Sequence, residues 1–257
     1  MNARELFEGL MQAELTLAHF NAMRTTPAES DVAIQRITTE SFEYLLEPAR
    51  PTSTYYNRAV ARSSESFAAE ALSTLRDDVA GIEVLPNQLD AGAAERLVAR
   101  GFVPAYQLCY LGAVVGARLP VERDVVRLLP SQTDLFFDLL QLEGVDFPAA
   151  RRAVKRRYYC TDQFQAYVAR DADGSPCGWT TMHVDGSTAF FGNSFTLPRH
   201  RQLGVHSALL AARLNAAAES GVRVAYTDVE HGSQSHYNCE RAGFRTLAVN
   251  TVWARRR

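Results

Sequence analysis

A short basic turn at residues 196–206 holds the residue types best suited to bind an anion. Arg201 supplies a fixed positive charge, and Gly204 lets the backbone approach a ligand closely. Apolar residues then recur at helical spacing, which indicates that a helix follows the turn. Because the first turn of a helix has free N–H groups and the positive end of its dipole, this stretch predicts a phosphate-binding site.

Strands and helices alternate around this turn in the second half of the chain. The predicted strands lie at 125–129, 164–169, 178–184, 188–197, 224–228 and 247–253, and the helices at 134–143, 148–157, 205–220 and 233–242. In the first half we expect helices at 3–23, 64–78 and 91–100 and strands at 32–34, 42–46, 54–60, 82–85 and 106–115. The chain is therefore expected to fold as a mixed α/β protein.

The two halves share an order of elements. Residues 81–85 precede a helix that ends at Gly101-Phe102, and residues 221–225 precede one that ends at Gly243-Phe244. This order predicts an internal duplication, although similar helix-capping chemistry alone would also produce it. The corresponding turn of the first half has no glycine, so the first half lacks the features that we expect to bind an anion. We place the boundary near residues 118–120, between domains at 1–118 and 121–257.

Composition narrows the class of protein. A chain of 257 residues with 47% hydrophobic residues can build a substantial core, in one large domain or two smaller ones. The net charge of −2 gives no overall attraction to nucleic acid or to an anionic membrane, so we expect neither as a partner. The four cysteines form no C-x-x-C pair, which favours neither zinc nor disulfides and fits a cytoplasmic protein.

Two motifs carry a resemblance to a known family. The turn T-L-P-R-H-R-Q-L-G-V-H at 196–206 resembles the acyl-CoA motif V-x-P-x-x-[RQ]-x-x-G-x-[GA] of the GNAT superfamily of N-acetyltransferases, and a late helix ends in Gly243-Phe244. The resemblance covers residues 125–253. It implies the α/β (α+β) acyl-CoA N-acyltransferase fold, a mixed, mostly antiparallel twisted sheet flanked by helices, present twice. The first copy is degenerate and the second binds acyl-CoA.

The resemblance also implies a cofactor, acetyl-CoA (coenzyme A) as acyl donor, and no metal. The pantetheine arm is expected along the backbone of Ser194, Phe195 and Thr196. Ser235 and Asn238 are expected on the pantetheine or adenine side of the cofactor. The pyrophosphate would be held near Arg201 by main-chain N–H groups of Gln202, Leu203, Gly204, Val205, His206 and Ser207.

Two positions depart from the family pattern. His206 stands where members have Gly or Ala, and Cys239 where many have the tyrosine that protonates the leaving thiolate. Amine attack on a thioester needs a base, an oxyanion donor and a proton for sulfur. Glu230 or His231 is the expected base, and Tyr237 and Cys239 compete for the role of acid.

The resulting hypothesis is an acetyl-CoA-dependent N-acetyltransferase. It would act by direct attack in a ternary complex on a primary amine of an unidentified small-molecule or peptide acceptor. The alternative is a non-catalytic acyl-CoA-binding sensor or interaction module, which the absent tyrosine favours. The first half would be structural, either covering the acceptor side of the second half or forming a homodimer contact.

Overall fold

The computed structural model describes residues 3–25, 34–145 and 148–256. Its α-helices are α1 Ala3–Thr25, α2 Ala69–Ser73, α3 Ala91–Ala99, α4 Thr133–Leu142, α5 Ala149–Lys155, α6 Val205–Glu219 and α7 Gln234–Arg241. Its strands are β1 Gln35–Thr38, β2 Phe42–Leu46, β3 Arg58–Ala61, β4 Gly81–Val84, β5 Phe102–Val114, β6 Asp124–Arg127, β7 Phe164–Arg170, β8 Pro176–Asp185, β9 Thr188–Thr196, β10 Val224–Glu230 and β11 Arg245–Arg255.

The chain divides into two compact units. The C-terminal unit comprises Met1–Glu14 and Tyr110–Leu247, and the N-terminal unit comprises Leu15–Cys109 and Ala248–Arg257. Both divisions after α1 fall inside strands, one in β5 and one in β11. The compact units are defined by contacts between residues, whereas the predicted domains at 1–118 and 121–257 are defined by the repeated order of elements along the sequence. The two domains therefore stay a prediction.

The strand order of the C-terminal unit is β5-β10-β9-β8-β7-β6. Its strands from β6 to β9 pair antiparallel, whereas β9 and β10 pair parallel, from Thr188↔Val224 to Phe191↔Thr227. The paired residues end there, although β9 continues to Thr196 and β10 to Glu230. The two strands therefore part over their last residues and leave backbone groups of β9 available to a ligand.

A bulge in β9 lies at the point where the strands part. Trp179 of β8 opposes Phe195, but Thr181 opposes Gly192, so Asn193 and Ser194 occupy the space of one residue. Asn193 has a φ of 45°, a left-handed conformation that asparagine tolerates better than most residues. The bulge redirects the end of β9 toward the beginning of α6.

Helix α6 packs on β8 through the apolar face that the sequence predicts. Val205, Ala208 and Leu209 are buried. A Cβ atom added to Gly178 of β8 would lie 2.7 Å from Val205 Cγ1 and 2.8 Å from the Phe195 carbonyl oxygen. Only a residue without a side chain lets the start of α6 approach the sheet this closely.

The N-terminal unit has the strand order β1-β2-β3-β4-β11-β5 and the same central arrangement. Its strands β3 and β4 pair parallel and are followed by α3, as β9 and β10 are followed by α7. Arg58 of β3 and Glu83 of β4 form a buried ion pair at 3.2 Å, and Asn250 of β11 donates to the same carboxylate. No phosphate-binding turn of the 196–206 type joins β3 to α2.

The predicted helix at 64–78 is wrong in extent. A 3₁₀ turn at Ser64–Phe67 is followed by the short α2, and Ala68 between them is extended, with φ −58° and ψ 149°. The buried Ser66 hydroxyl donates to the Ser41 carbonyl and accepts from the Ser63 N–H. Serine side chains that bond to nearby backbone compete with helical hydrogen bonds, and here they stop the helix.

The predicted strand at 54–60 begins only at Arg58. Asn57 turns the chain before it, because its side chain accepts from the Glu47 N–H at 2.8 Å and donates to the carbonyls of Glu47 and Arg50. Of the predicted strand at 32–34, residues 32 and 33 lie outside the described residues. The other predicted elements are present, with ends displaced by a few residues.

Candidate functional site

A cleft of about 1110 Å³ opens in the C-terminal unit at the beginning of α6. Ten of the predicted cofactor-binding residues line it: Thr196, Arg201, Gln202, Leu203, Gly204, Val205, His206, Ser207, Ser235 and Asn238. Lining residues that the sequence did not suggest are Pro120, Glu122, Arg123, His200, Ala208, Gln234 and Arg241. The turn before α6 and one face of α7 thus form opposite walls of one site.

The turn has the backbone geometry of an anion site. Gly204 caps α6 in a left-handed conformation with φ 77°, and Gln202 before it has φ 62°. The first helical hydrogen bond runs from the Ala208 N–H to the Gly204 carbonyl at 3.0 Å. No side chain caps the preceding N–H groups, which leaves the donors of the first turn of α6 for a ligand.

Three arginines give the cleft positive charge. Arg123, Arg201 and Arg241 line it together with one carboxylate, Glu122. The Arg123 Nε donates to the Leu203 carbonyl at 3.0 Å, which holds the guanidinium beside the turn. Guanidinium groups and helix N-terminal amides favour phosphate oxygens.

His206 joins α6 to α7. Its Nδ1 lies 3.2 Å from the Asn238 amide nitrogen, and its Nε2 lies 3.4 Å from the Ser235 hydroxyl. Since an amide nitrogen only donates, Nδ1 accepts and Nε2 carries the proton. Burial, with a smaller contribution from the positive charge of Arg213, lowers the pKa of His206 to about 4. The imidazole is therefore neutral at pH 7 and fixes both predicted ligands of α7.

The remaining two predicted cofactor residues lie on β9 and do not line the cleft. Phe195 stacks on Trp179 with ring centroids 4.6 Å apart. The Ser194 hydroxyl lies 2.6 Å from the Thr180 hydroxyl and accepts from Arg213 Nη2 at 3.3 Å. Ser194 belongs to the bulge and Phe195 follows it, beyond the point at which β9 and β10 separate.

The four predicted catalytic residues lie outside the cleft lining. Glu230 at the end of β10 and His231 after it are exposed, and Tyr237 in the first turn of α7 is 53% exposed. Cys239 is 2% exposed and faces the interior. The structure therefore separates the two candidates for the acid, and their roles remain predictions.

Residues 135–244 match the acetyltransferase (GNAT) family. The matched range contains most of α4, the turn at 196–206, the separating strands β9 and β10, and α7. Residues 135–244 form a GNAT acetyltransferase domain. No curated protein sequence matches the chain.

Solved structures share the fold over nearly the whole chain. A GCN5-related N-acetyltransferase from Kribbella flavida is 17% identical, with a TM-score of 0.64, over 96% of this chain and 95% of its own. A protein of unknown function from Staphylococcus epidermidis ATCC 12228 is 14% identical, with a TM-score of 0.61, over 91% of this chain and 99% of its own. A tandem GNAT protein from the clavulanic acid biosynthesis pathway is 16% identical, with a TM-score of 0.52, over 90% of this chain and 85% of its own. At these identities, the likeness concerns the fold.

The described residues also bear on metal binding and on membrane insertion. Within residues 3–25, 34–145 and 148–256, no three or more His, Cys, Asp and Glu side chains are grouped as metal ligands. In the same part of the chain, no helix combines the length and apolar character needed to cross a membrane.

Some site residues could have been found in the sequence. Arg241 follows Asn238 by three positions, so both lie on one face of a helix. Arg213 is a single cation in the otherwise apolar stretch 208–214, which is a signal for a buried polar role. Pro120 and Arg123 belong to a segment whose position depends on tertiary contacts: Asn215 of α6 holds the Leu119 N–H and carbonyl at 2.8 and 2.9 Å.

Proposed function

We propose that the protein is an acyltransferase that transfers an acetyl group from acetyl-CoA to a primary amine. One observation carries the proposal: the C-terminal unit, which includes the GNAT acetyltransferase domain, contains a cleft in which a free helix N-terminus and three arginines meet, beside two parallel strands that separate. Diphosphate fits the helix end and the guanidinium groups, and an extended chain fits the unpaired edge of a strand.

The lining of the cleft supports a position for the cofactor. We propose that the pyrophosphate lies at the N–H groups of Gln202 to Ser207 beside Arg201, and that the pantetheine or adenine side lies near Ser235 and Asn238. The pantetheine arm runs along Ser194 to Thr196 as an added strand, which brings the thioester to the point where β9 and β10 part. We retain the division into a degenerate domain at 1–118 and an acyl-CoA-binding domain at 121–257.

The proposed chemistry is direct attack of the neutral amine on the thioester in a ternary complex. Backbone N–H groups near Phe195 and Thr196 stabilise the tetrahedral oxyanion. Glu230, exposed at the end of β10, or His231, exposed directly after it, takes the amine proton, directly or through water. The hydroxyl of Tyr237 or the thiol of Cys239 supplies a proton to the departing sulfur.

A non-catalytic acyl-CoA sensor is the second candidate. It is favoured by the burial of Cys239 at the position where the family resemblance leads us to expect a tyrosine. A buried cysteine is more often a small core residue than an acid. Both candidates bind acyl-CoA, so binding alone does not separate them.

Release of free thiol from acetyl-CoA separates the two functions. The purified chain is incubated with acetyl-CoA and a panel of small-molecule and peptide primary amines, with the Gly204→Glu variant as the matched control. Amine-dependent thiol release by the natural sequence and none by the variant supports the acetyltransferase. Tight CoA binding with no release across the whole panel contradicts it and supports the sensor.

A further inference from the structure

Arg213 of α6 is a buried cation in the C-terminal unit that the proposed reaction has not used. It is 2% exposed, its guanidinium carbon lies 4.4 Å from the centre of the Phe191 ring, and its Nη1 donates to the Thr181 carbonyl at 3.0 Å. No carboxylate among the described residues forms an ion pair with it. The titratable groups that interact with it are Cys239 of α7, Tyr167 of β7 and His206 of its own helix.

A buried guanidinium without a carboxylate carries an uncompensated charge. Burial lowers the pKa of Arg213 to about 10, so the group is still protonated at neutral pH. The hydrogen bonds given for it go to neutral oxygens, and these satisfy its donors but not its charge. Its positive field therefore remains available to an anion that forms nearby.

Ser194 connects this charge to the bulge in β9. Its hydroxyl accepts from Arg213 Nη2 at 3.3 Å and lies 2.6 Å from the Thr180 hydroxyl, and the residue is exposed. The Thr180 hydroxyl also lies 3.3 Å from the Gly192 carbonyl and can give its proton there or to Ser194. When Thr180 donates to Ser194, the proton of the Ser194 hydroxyl is available to a ligand at the bulge.

We propose that Ser194 and Arg213 together stabilise the thiolate of coenzyme A, the Ser194 hydroxyl donating to the sulfur while the Arg213 guanidinium donates to that hydroxyl. The inference rests on the proposed function, because the pantetheine position places the sulfur at the bulge. As the amine nitrogen bonds to the thioester carbon, the carbon–sulfur bond breaks and its electron pair moves to sulfur. A hydroxyl polarised by a fixed cation stabilises that charge as it forms, before a proton from Tyr237 or Cys239 reaches the sulfur. Ser194 is the contact residue and Arg213 the positioning residue.

This arrangement would help the thiolate to leave in a protein that has Cys239 where the family resemblance predicts a tyrosine as the acid. A thiolate needs less help to leave than an alkoxide, so a hydrogen bond reinforced by charge lowers the demand on the proton donor. The inference predicts that the thiol of bound coenzyme A ionises at lower pH than the free thiol.

The test is a pH titration of coenzyme A labelled with ¹³C at the carbon bonded to sulfur, followed by NMR in complex with the full chain. The chemical shift of that carbon reports ionisation of the thiol. The variants are Ser194→Ala, which removes an exposed hydroxyl, Arg213→Met, which removes the charge, and Arg213→Lys, which retains it. Arg223→Met is the matched control, because Arg223 also donates to a serine, Ser187 at 3.2 Å, at an exposed position of the same unit.

We expect the bound thiol to titrate at least about one pKa unit below the thiol of free coenzyme A titrated in the same way. Ser194→Ala and Arg213→Met should each remove most of that shift, Arg213→Lys should retain part of it, and Arg223→Met should retain all of it. If Arg213→Met does not fold, Ser194→Ala and Arg213→Lys carry the same comparison.

The outcomes separate this inference from the proposed function. Coenzyme A that binds with an unshifted thiol, or with the same shift in the natural sequence and in Ser194→Ala, overturns the inference and leaves the proposed function standing. A chain that does not bind coenzyme A, measured first by calorimetry, overturns both.

Discussion

Acidification should destabilise the protein through His206. Its pKa is lowered from 6.5 to about 4 in the folded protein, chiefly by burial. The folded state therefore holds a neutral imidazole, while the unfolded chain binds a proton below pH 6.5. Stability from this group is fully present above pH 6.5 and is lost as the pH falls toward 4. The difference of about 2.5 pKa units corresponds to about 3 kcal/mol, since one unit is worth about 1.4 kcal/mol.

The measurement is the free energy of unfolding in urea between pH 7.5 and 4.5, without coenzyme A, for the natural sequence and for His206→Gln. Glutamine keeps hydrogen-bonding groups in the first turn of α6 and does not titrate. By pH 4.5 the natural sequence should have lost about 2.5 kcal/mol more than the variant, because carboxylates contribute equally to both. At pH 7.5 the variant should be less stable by about 1 kcal/mol, through the hydrogen bonds to Ser235 and Asn238.

His19→Gln is the control, because His19 is an exposed histidine of α1. It should follow the pH dependence of the natural sequence. Parallel curves for the natural sequence and His206→Gln would refute the reasoning, since they would mean that the imidazole is equally easy to protonate in the folded and unfolded states.

Three further predictions concern packing, charge and the acid. Gly178→Ala should lower the free energy of unfolding, measured in urea, by about 1–3 kcal/mol, because the new Cβ overlaps the start of α6. In the control Gly116→Ala the new Cβ would meet nothing within 4 Å, so the free energy of unfolding should change by less than about 0.5 kcal/mol. Glu83→Gln should lower the unfolding temperature and cost about 1–3 kcal/mol, because the buried ion pair at 3.2 Å would lose its negative charge; equal stability of the variant would contradict this. Tyr237→Phe should reduce kcat at least about tenfold if the hydroxyl protonates the thiolate, and unchanged turnover excludes it as the acid.

Local patterns predicted most of the helices and strands, because the spacing of apolar residues within each element can be read from neighbouring residues. The turn at 196–206 is one such case: glycine, arginine and a following apolar period indicate a helix start with an anion site, and Gly204 is left-handed at the cap of α6. Long-range pairing could not be predicted in the same way. Strand β11 pairs with β4 of the N-terminal unit, Thr251 opposite Val84, and nothing in either strand specifies that partner.

The sequence predicted the site residues that lie on the turn before α6 and on one face of α7. It did not predict the residues that reach the site through tertiary contacts. Ten predicted residues line the cleft because they lie on one turn and one helix face. Arg213 and Arg123 were missed, since the first acts from inside α6 and the second reaches the turn from a segment with no motif. His206, a departure from the family pattern, is explained only by its contacts with α7.

Calorimetric titration of coenzyme A into the natural sequence and into Gly204→Glu tests the central proposal most directly. A side chain at Gly204 would enter open space in the cleft, at a φ of 77° that costs about 1 kcal/mol, so the variant should fold while a carboxylate occupies the phosphate position. The proposal predicts binding at one site in the natural sequence and loss of at least about 100-fold in affinity in the variant, as expected when a buried anion meets like charge. Unchanged affinity in Gly204→Glu, or no binding to the natural sequence, would contradict it.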